Sequence, residues 1–125
     1  MIENHLVNTS MINRAGKQVA PTMDAFQAAA ANADFSKVQN FYLILTDQPG
    51  DKSWPITAAT YMLLRKDNPP DQNRAVLKFL SWALRDGQRE AKNLGYVPLP
   101  DNVIGLIESD WSRQLGSAWG TVSGQ

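Results

Sequence analysis

Residues 82–100, WALRDGQREAKNLGYVPLP, constrain the fold more tightly than any other stretch of this chain. Gly87, Gly95, Pro98 and Pro100 punctuate them. Glycine is the residue most often found just past a helix end. Proline cannot continue a helix, because it lacks the N–H and its ring clashes with the preceding turn. The stretch therefore reads as the end of one helix at Gly87, a short helix over 88–94 closed by Gly95, and a stiff aromatic-proline exit.

The flanking elements follow from the same signals. A helix over 71–86 is expected after Pro69-Pro70, capped by Asp71 or Asn73. Its apolar side carries Val76, Phe79, Leu80, Ala83 and Leu84, with Arg74, Lys78, Ser81 and Arg85 opposite. Asp101 is expected to cap a last helix, over 101–115, in which Val103, Ile107, Trp111 and Leu115 recur every four residues. The tail from Gly116 reads as frayed, with Trp119 able to dock.

Upstream, residues 6–20 read as a hairpin: Leu6-Val7 and Met11-Ile12 on one side, a turn over Asn13-Arg14-Ala15-Gly16-Lys17, and a return at Val19. Thr22 is a natural N-cap and Asp24 a natural first-turn residue for an alanine-rich helix over 25–33, anchored by Phe26. Phe35, Phe41, Tyr42, Leu43, Ile44 and Leu45 are apolar enough for burial, and residues 46–51 form a surface turn. Pro55 holds Trp54 extended. Residues 60–64, TYMLL, read as a buried strand ended by Arg65-Lys66-Asp67-Asn68 and two prolines.

Composition sets the outer limits. The 125 residues suit one ordinary domain, able to bury about 65% of its unfolded surface. Twelve basic residues balance twelve acidic ones, so nothing electrostatic points to nucleic acid or to an anionic membrane. There is no cysteine, which removes disulfides, thiolate nucleophiles and cysteine metal sites. MIENHLVNTS has neither the basic region nor the apolar core of a signal peptide, so the chain as written is expected in the cytoplasm.

No residue pattern amounts to a catalytic constellation. His5, the only histidine, has no companion donors and reads as a surface residue rather than a ligand. Glu108 and Asp110 lie two apart on a helix and point to different faces, which makes them a solvated edge rather than an acid–base pair. Ser53, Thr57 and Thr60 have hydroxyls but no nearby base, so turn and strand-edge hydrogen bonding is expected of them. Arg14 and Lys17 flank a glycine, yet a phosphate loop needs two glycines at fixed spacing and a following Ser or Thr. The tryptophans at 54, 82, 111 and 119 read mostly as core, since no basic groove runs between them.

The order of several motifs resembles the periplasmic phosphate-binding proteins of ATP-driven phosphate importers. Asn13-Arg14-Ala15-Gly16-Lys17 with Val19-Ala20-Pro21-Thr22 is similar to the hairpin and helix start of their second lobe. Trp54-Pro55-Ile56-Thr57 resembles their Tyr/Trp-Pro-Ile-Thr turn, and Thr60 through Asp67 resembles the strand that follows it. VLKFLSWA, residues 76–83, is similar to a family helix, and Gly87-Gln88 with Leu94-Gly95-Tyr96-Val97-Pro98-Leu99-Pro100 to its continuation.

The resemblance implies an α/β chain that is helix-rich with few short strands, the C-terminal part of a two-lobed (type II) periplasmic-binding-protein fold. It implies that residues 1–53 belong to the second lobe, 54–57 to a return crossing near the hinge, 58–115 to the first lobe, and 116–125 to a flexible tail. It implies a non-enzymatic substrate-binding component located in the periplasm. Its partners would be inorganic phosphate and the transporter's membrane subunits, with no cofactor and no nucleic acid. The family's phosphate ligands belong to motifs that these 125 residues do not contain. No catalytic, ligand, metal or cofactor residue is therefore assigned, and Arg14, Arg65 and Asp67 are not promoted to ligands. Unpaired strand edges would favour self-association. The alternative is a free-standing interaction module without a transport role.

Overall fold

In the computed structural model, which describes residues 7–120 and 122, the chain first folds back on itself at residues 13–17. Strands β1 (Met11–Ile12) and β2 (Gln18–Val19) pair antiparallel, with Met11 opposite Val19. The turn closes through Gly16 N–H to Asn13 O and Asn13 N–H to Lys17 O, each 2.9 Å, and Gly16 sits at φ +72°. Of the expected outer strand, Leu6 lies outside the described residues and Val7 is exposed outside any strand. Two residues on each side are all that pair, since no third strand is present among the described residues to extend the ladder.

Helix α1 (Met23–Asn32) starts where the sequence places it. Thr22 adopts an extended conformation and its hydroxyl accepts from Ala25 N–H at 3.2 Å, satisfying one of the free amides of the first turn. Ala25, Ala29 and Ala30 form its buried stripe. Alanine there lets a neighbouring backbone come close, and the Trp54 N–H donates to Ala25 O at 3.0 Å. Phe26 packs edge-on against the Trp54 ring, centroids 6.3 Å apart. Two single-turn 3-10 helices follow, Phe35–Lys37 and Gln39–Phe41. Of the apolar run after them only Leu45 is buried, while Tyr42 and Ile44 are 77% and 70% exposed. The expectation that the whole run is buried fails, because side chains alternate along an extended segment and nothing covers the outer set.

These residues belong to one of two compact units, Met1–Thr60; the other is Tyr61–Gln125. In the second unit every described regular element is a helix: α2 (Pro70–Arg85), α3 (Gln88–Asn93), α4 (Asp101–Gln114) and α5 (Gly116–Trp119). The expected strand over 60–64 does not form. Residues 61–63 are exposed, because no neighbouring strand offers a ladder. Neither Asp71 nor Asn73 caps α2, and Asp101 does not cap α4. Pro69 and Pro100 occupy those positions, and the two aspartates lie inside the first turns.

The buried stripe of α2 is Asn73, Leu77 and Leu80; of the expected side, Val76, Phe79, Leu80, Ala83 and Leu84, only Leu80 belongs to it, and Val76 and Phe79 are exposed. Leu77 is completely buried in a cluster with Leu115, Ala118 and Trp119, against which Leu64, Trp111 and Val122 pack. The supposedly frayed tail is what displaces the stripe, since α5 closes over Leu77. Trp111 and Trp119 meet edge to face at 5.1 Å. On the surface, Arg85 of α2 reaches Glu108 of α4 through two bonds, 3.0 and 2.6 Å.

The two glycines of the punctuated stretch act differently. Gly95 is left-handed at φ +80°, and Tyr96 N–H returns to Ala91 O at 2.9 Å, closing α3. Gly87 has φ −76°, so its role is steric. A Cβ there would stand 3.0 Å from Ala83 Cα.

This packing orders the α2 positions. Leu77→Ala should cost about 3 kcal/mol, by lost transfer energy and the cavity left beneath α5. Phe79→Ala should cost less than about 1 kcal/mol, because its ring is mostly in solvent. Urea denaturation followed by circular dichroism reads both, and equal losses would contradict the assignment of the buried face.

Candidate functional site

The region of the chain richest in buried polar contacts surrounds Ser53-Trp54-Pro55-Ile56-Thr57. Asn13, at the end of β1, reaches it from forty residues away in sequence. Asn13 Nδ2 donates to the carbonyls of Asp51 (2.9 Å), Gly50 (3.1 Å) and Ser53 (3.2 Å). Its Oδ1 accepts from the backbone N–H groups of Ala15 and Lys17, both at 3.0 Å. One buried side chain thus ties the hairpin turn to the loop that leads into Trp54.

The loop is itself closed by Ser53, whose hydroxyl donates to Pro49 O at 2.6 Å and accepts from Asn32 Nδ2 at 3.2 Å. Gly50 (φ +106°) is required here by contact as well as conformation: a Cβ would lie 2.4 Å from Asn32 Nδ2. Beyond Trp54, the Thr57 hydroxyl donates to Trp54 O at 3.0 Å, and Asp47 N–H donates to Pro55 O at 2.9 Å. Thr60, by contrast, is exposed.

In chemical terms these groups are already occupied. Asn13, Ser53, Thr57 and, in the second unit, Asn73 are the buried polar residues among those described. Asn73 donates to Arg65 O at 3.0 Å and accepts from Asn68 Nδ2 at 3.4 Å. Each is bonded within the chain, so none is left pointing into an open site. Arg74 Nε alone is buried without a partner among the described residues, while its own Nη1 pairs with Asp71 at 3.1 Å.

The other candidate residues are dispersed. His5 lies outside the described residues. Arg14 and Lys17 stand exposed on the hairpin. Arg65 and Asp67 pair with each other at 3.1 and 2.7 Å in solvent, which holds the Asp67 carboxyl below its usual range. Glu108 faces Arg85, and its hydrogen bonds raise the guanidinium above its ordinary value. Asp110 instead accepts from Arg113 and from Gln114, the latter at 2.7 and 2.6 Å. The two carboxylates therefore serve different neighbours.

Of the tryptophans, 54 and 119 are buried and 111 half-buried, but Trp82 is exposed beside Phe79, centroids 6.0 Å apart. Among the described residues no three His, Asp or Glu side chains gather as a metal site. No described helix is long and apolar enough to cross a membrane.

Two residues that organise these contacts, Asn13 and Asn73, are not singled out by sequence reasoning as polar anchors. The available signal is slight. An asparagine opening a turn readily bonds the backbone two to four residues on, which fits Asn13, but its three long-range acceptors leave no local trace.

No family model matches the chain. Phosphate-binding protein PstS of Xylella fastidiosa (strain 9a5c) is 40% identical to it over 115 residues, covering 91% of this chain and 32% of that protein. PstS of Pasteurella multocida is 41% identical, covering 94% and 35%, and PstS of Haemophilus influenzae 43% identical, covering 90% and 34%. The resemblance to phosphate-binding proteins is thus borne out along nearly the whole of these residues, which span about a third of the length of the curated relatives they match.

The polar hub is a property of this chain's own residues and can be tested on it. Asn13→Ala removes the side-chain donor to the Asp51 and Ser53 carbonyls and the acceptor of the Ala15 and Lys17 N–H groups, while Gly50 O keeps the Ser53 N–H, and should lower the stability of the first unit by about 3 kcal/mol. Asn13→Asp keeps the acceptor but replaces the donor with a carboxylate facing carbonyls, and should do no better. Urea titration monitored by Trp54 fluorescence, with the other tryptophans replaced by phenylalanine, measures both.

Proposed function

We propose that this chain, which is homologous to phosphate-binding proteins over nine-tenths of its length, is the C-terminal portion of the substrate-binding component of an ATP-driven phosphate importer. It contributes scaffold rather than phosphate ligands. The observation that carries the reading is about 40% identity along some 115 residues in the relatives named for phosphate binding. The role is non-enzymatic, and the setting is the periplasm, with the importer's membrane subunits as partners. In this reading the fold is part of a two-lobed type II binding protein, with residues 54–57 at the crossing between lobes. The dense backbone anchoring around Trp54 supports a pivot there, because a hinge needs firm attachment beside the residues that turn.

Physical chemistry supports the absence of a phosphate site within these residues. Anions are commonly held by free N–H groups at helix N-termini. Here the first turn of every helix of six residues or more already carries a carboxylate: Asp24, Asp71, Glu90 and Asp101. Those charges repel a phosphate from the positive helix ends. The buried hydroxyls and amides, the other usual ligands, are bonded internally.

A second reading, an interaction module without transport, is favoured by the outward face of α2. Val76, Phe79 and Trp82 are exposed along it.

One pair of titrations separates the two readings. Calorimetric titration of the 125-residue chain with inorganic phosphate should give no micromolar binding, and a micromolar site would overturn the scaffold assignment. A chimera in which these residues replace the matching segment of the Haemophilus influenzae relative should bind phosphate. A folded chimera that binds none would favour the interaction module.

A further inference from the structure

Residues 58–63 lie where one compact unit, Met1–Thr60, gives way in sequence to the other, Tyr61–Gln125. No helix or strand runs through residues 42–69. The chain is anchored on either side of the segment. Before it, Thr57 is buried and its hydroxyl donates to Trp54 O at 3.0 Å. After it, Leu64 packs against the Leu77–Trp119 cluster, and Asn73 holds the Arg65 carbonyl at 3.0 Å. Between these anchors only Ala59 is half-buried, and the apolar side chains turn outward: Tyr61 at 45%, Met62 at 59% and Leu63 at 95% exposure.

An endopeptidase must draw a peptide bond and several flanking residues into its cleft. It therefore cuts where a segment can leave the surface without breaking a helix, a ladder or a core. We propose that residues 61–63 are the primary cleavage site of this chain for an endopeptidase with an apolar primary pocket, and that the cut parts the chain at the boundary of its two units. Water adds across the peptide bond, leaving a carboxylate on one side and an amino group on the other, and no oxidant or cofactor is consumed.

The side chains select the class of enzyme. Three consecutive bulky apolar residues suit a hydrophobic pocket, and residues 53–64 offer no cation to a pocket that requires one. The nearest basic residues stand at the anchors. Lys52 precedes buried Ser53, and Arg65 is tied through its carbonyl to Asn73 and through its guanidinium to Asp67. Other exposed aromatic residues are held more firmly. Phe79 and Trp82 lie inside α2, where a cut must first break the helix. Tyr96 N–H bonds Ala91 O at 2.9 Å, and Tyr42 N–H bonds Gln39 O at 3.1 Å with buried Leu45 close behind.

Limited digestion of the 125-residue chain with chymotrypsin, followed by intact-mass measurement, reads the site directly. The first products should be a complementary pair whose junction falls after Tyr61, Met62 or Leu63. Combining Tyr61→Ser, Met62→Ser and Leu63→Ser should slow cleavage in this segment at least about tenfold with circular dichroism unchanged, because the pocket loses its apolar filling. In the unmodified chain the rate should stay nearly flat in urea below the unfolding transition, once corrected with a short peptide substrate, because the opening is local.

A first cut after Tyr42, Phe79, Trp82 or Tyr96 overturns the proposal. So does a rate that climbs with urea in step with global unfolding, since the segment would then be protected in the folded chain. Both of these tests use the unmodified chain and hold even if the serine variant fails to fold. Undiminished cleavage in a folded serine variant overturns the apolar-pocket assignment. None of these outcomes depends on phosphate binding, so the inference stands or falls apart from the transport reading.

Discussion

A single amide side chain determines much of the course of the first unit. Asn13 satisfies three carbonyls of the 50–53 loop and two N–H groups of its own turn. Each of those groups is costly to bury alone, on the order of 1–3 kcal/mol, so the loop can be close-packed only while Asn13 is in place. The consequences run along the chain. A fixed 50–53 loop fixes Ser53, Ser53 precedes Trp54, and Trp54 bonds Ala25 and packs on Phe26. A two-residue hairpin with too little ladder to stand alone is thereby tied to a helix core.

The second unit is ordered by a different principle. Leu77, Leu115, Ala118 and Trp119 gather where α2, α4 and α5 meet, and α5 closes the cluster. Asn73 does for this unit, on a smaller scale, what Asn13 does for the first: it bonds a loop carbonyl from inside a helix. The cost of so short a core is apolar surface left outside, on α2 and ahead of Leu64. The chain spans about a third of the length of the relatives it matches.

Helix boundaries were legible in the sequence where local chemistry decides them. Thr22 and Gly95 act within one turn of their own position and mark helix ends as expected, while prolines rather than the expected Asp71, Asn73 and Asp101 stand at the starts of α2 and α4. What was not legible depended on partners. TYMLL has the residues of a buried strand, but a strand needs a neighbour, and the described residues provide none for it. Leu80 belongs to the buried face of α2 as its spacing predicts, but Leu77 is not legible as core, because the element that covers it, α5, lies in a glycine- and serine-containing tail with no strong helix signal. The family was legible because several short motifs occur in a fixed order. The polar hub was not, because the three carbonyls that Asn13 serves are some forty residues away and any residue type could supply them.

These observations bear on function through attachment rather than chemistry. The segment around Trp54 is bonded on both sides, and the buried polar groups beside it are already satisfied. Such a region fastens one stretch of backbone to another. Amide hydrogen exchange measures this most directly. If Asn13 ties the hairpin to the Trp54 loop, the amides of Ala15, Lys17 and Trp54 should open together with one common free energy. Exchange of Ala15 and Lys17 at unprotected rates while Trp54 stays protected would contradict the account.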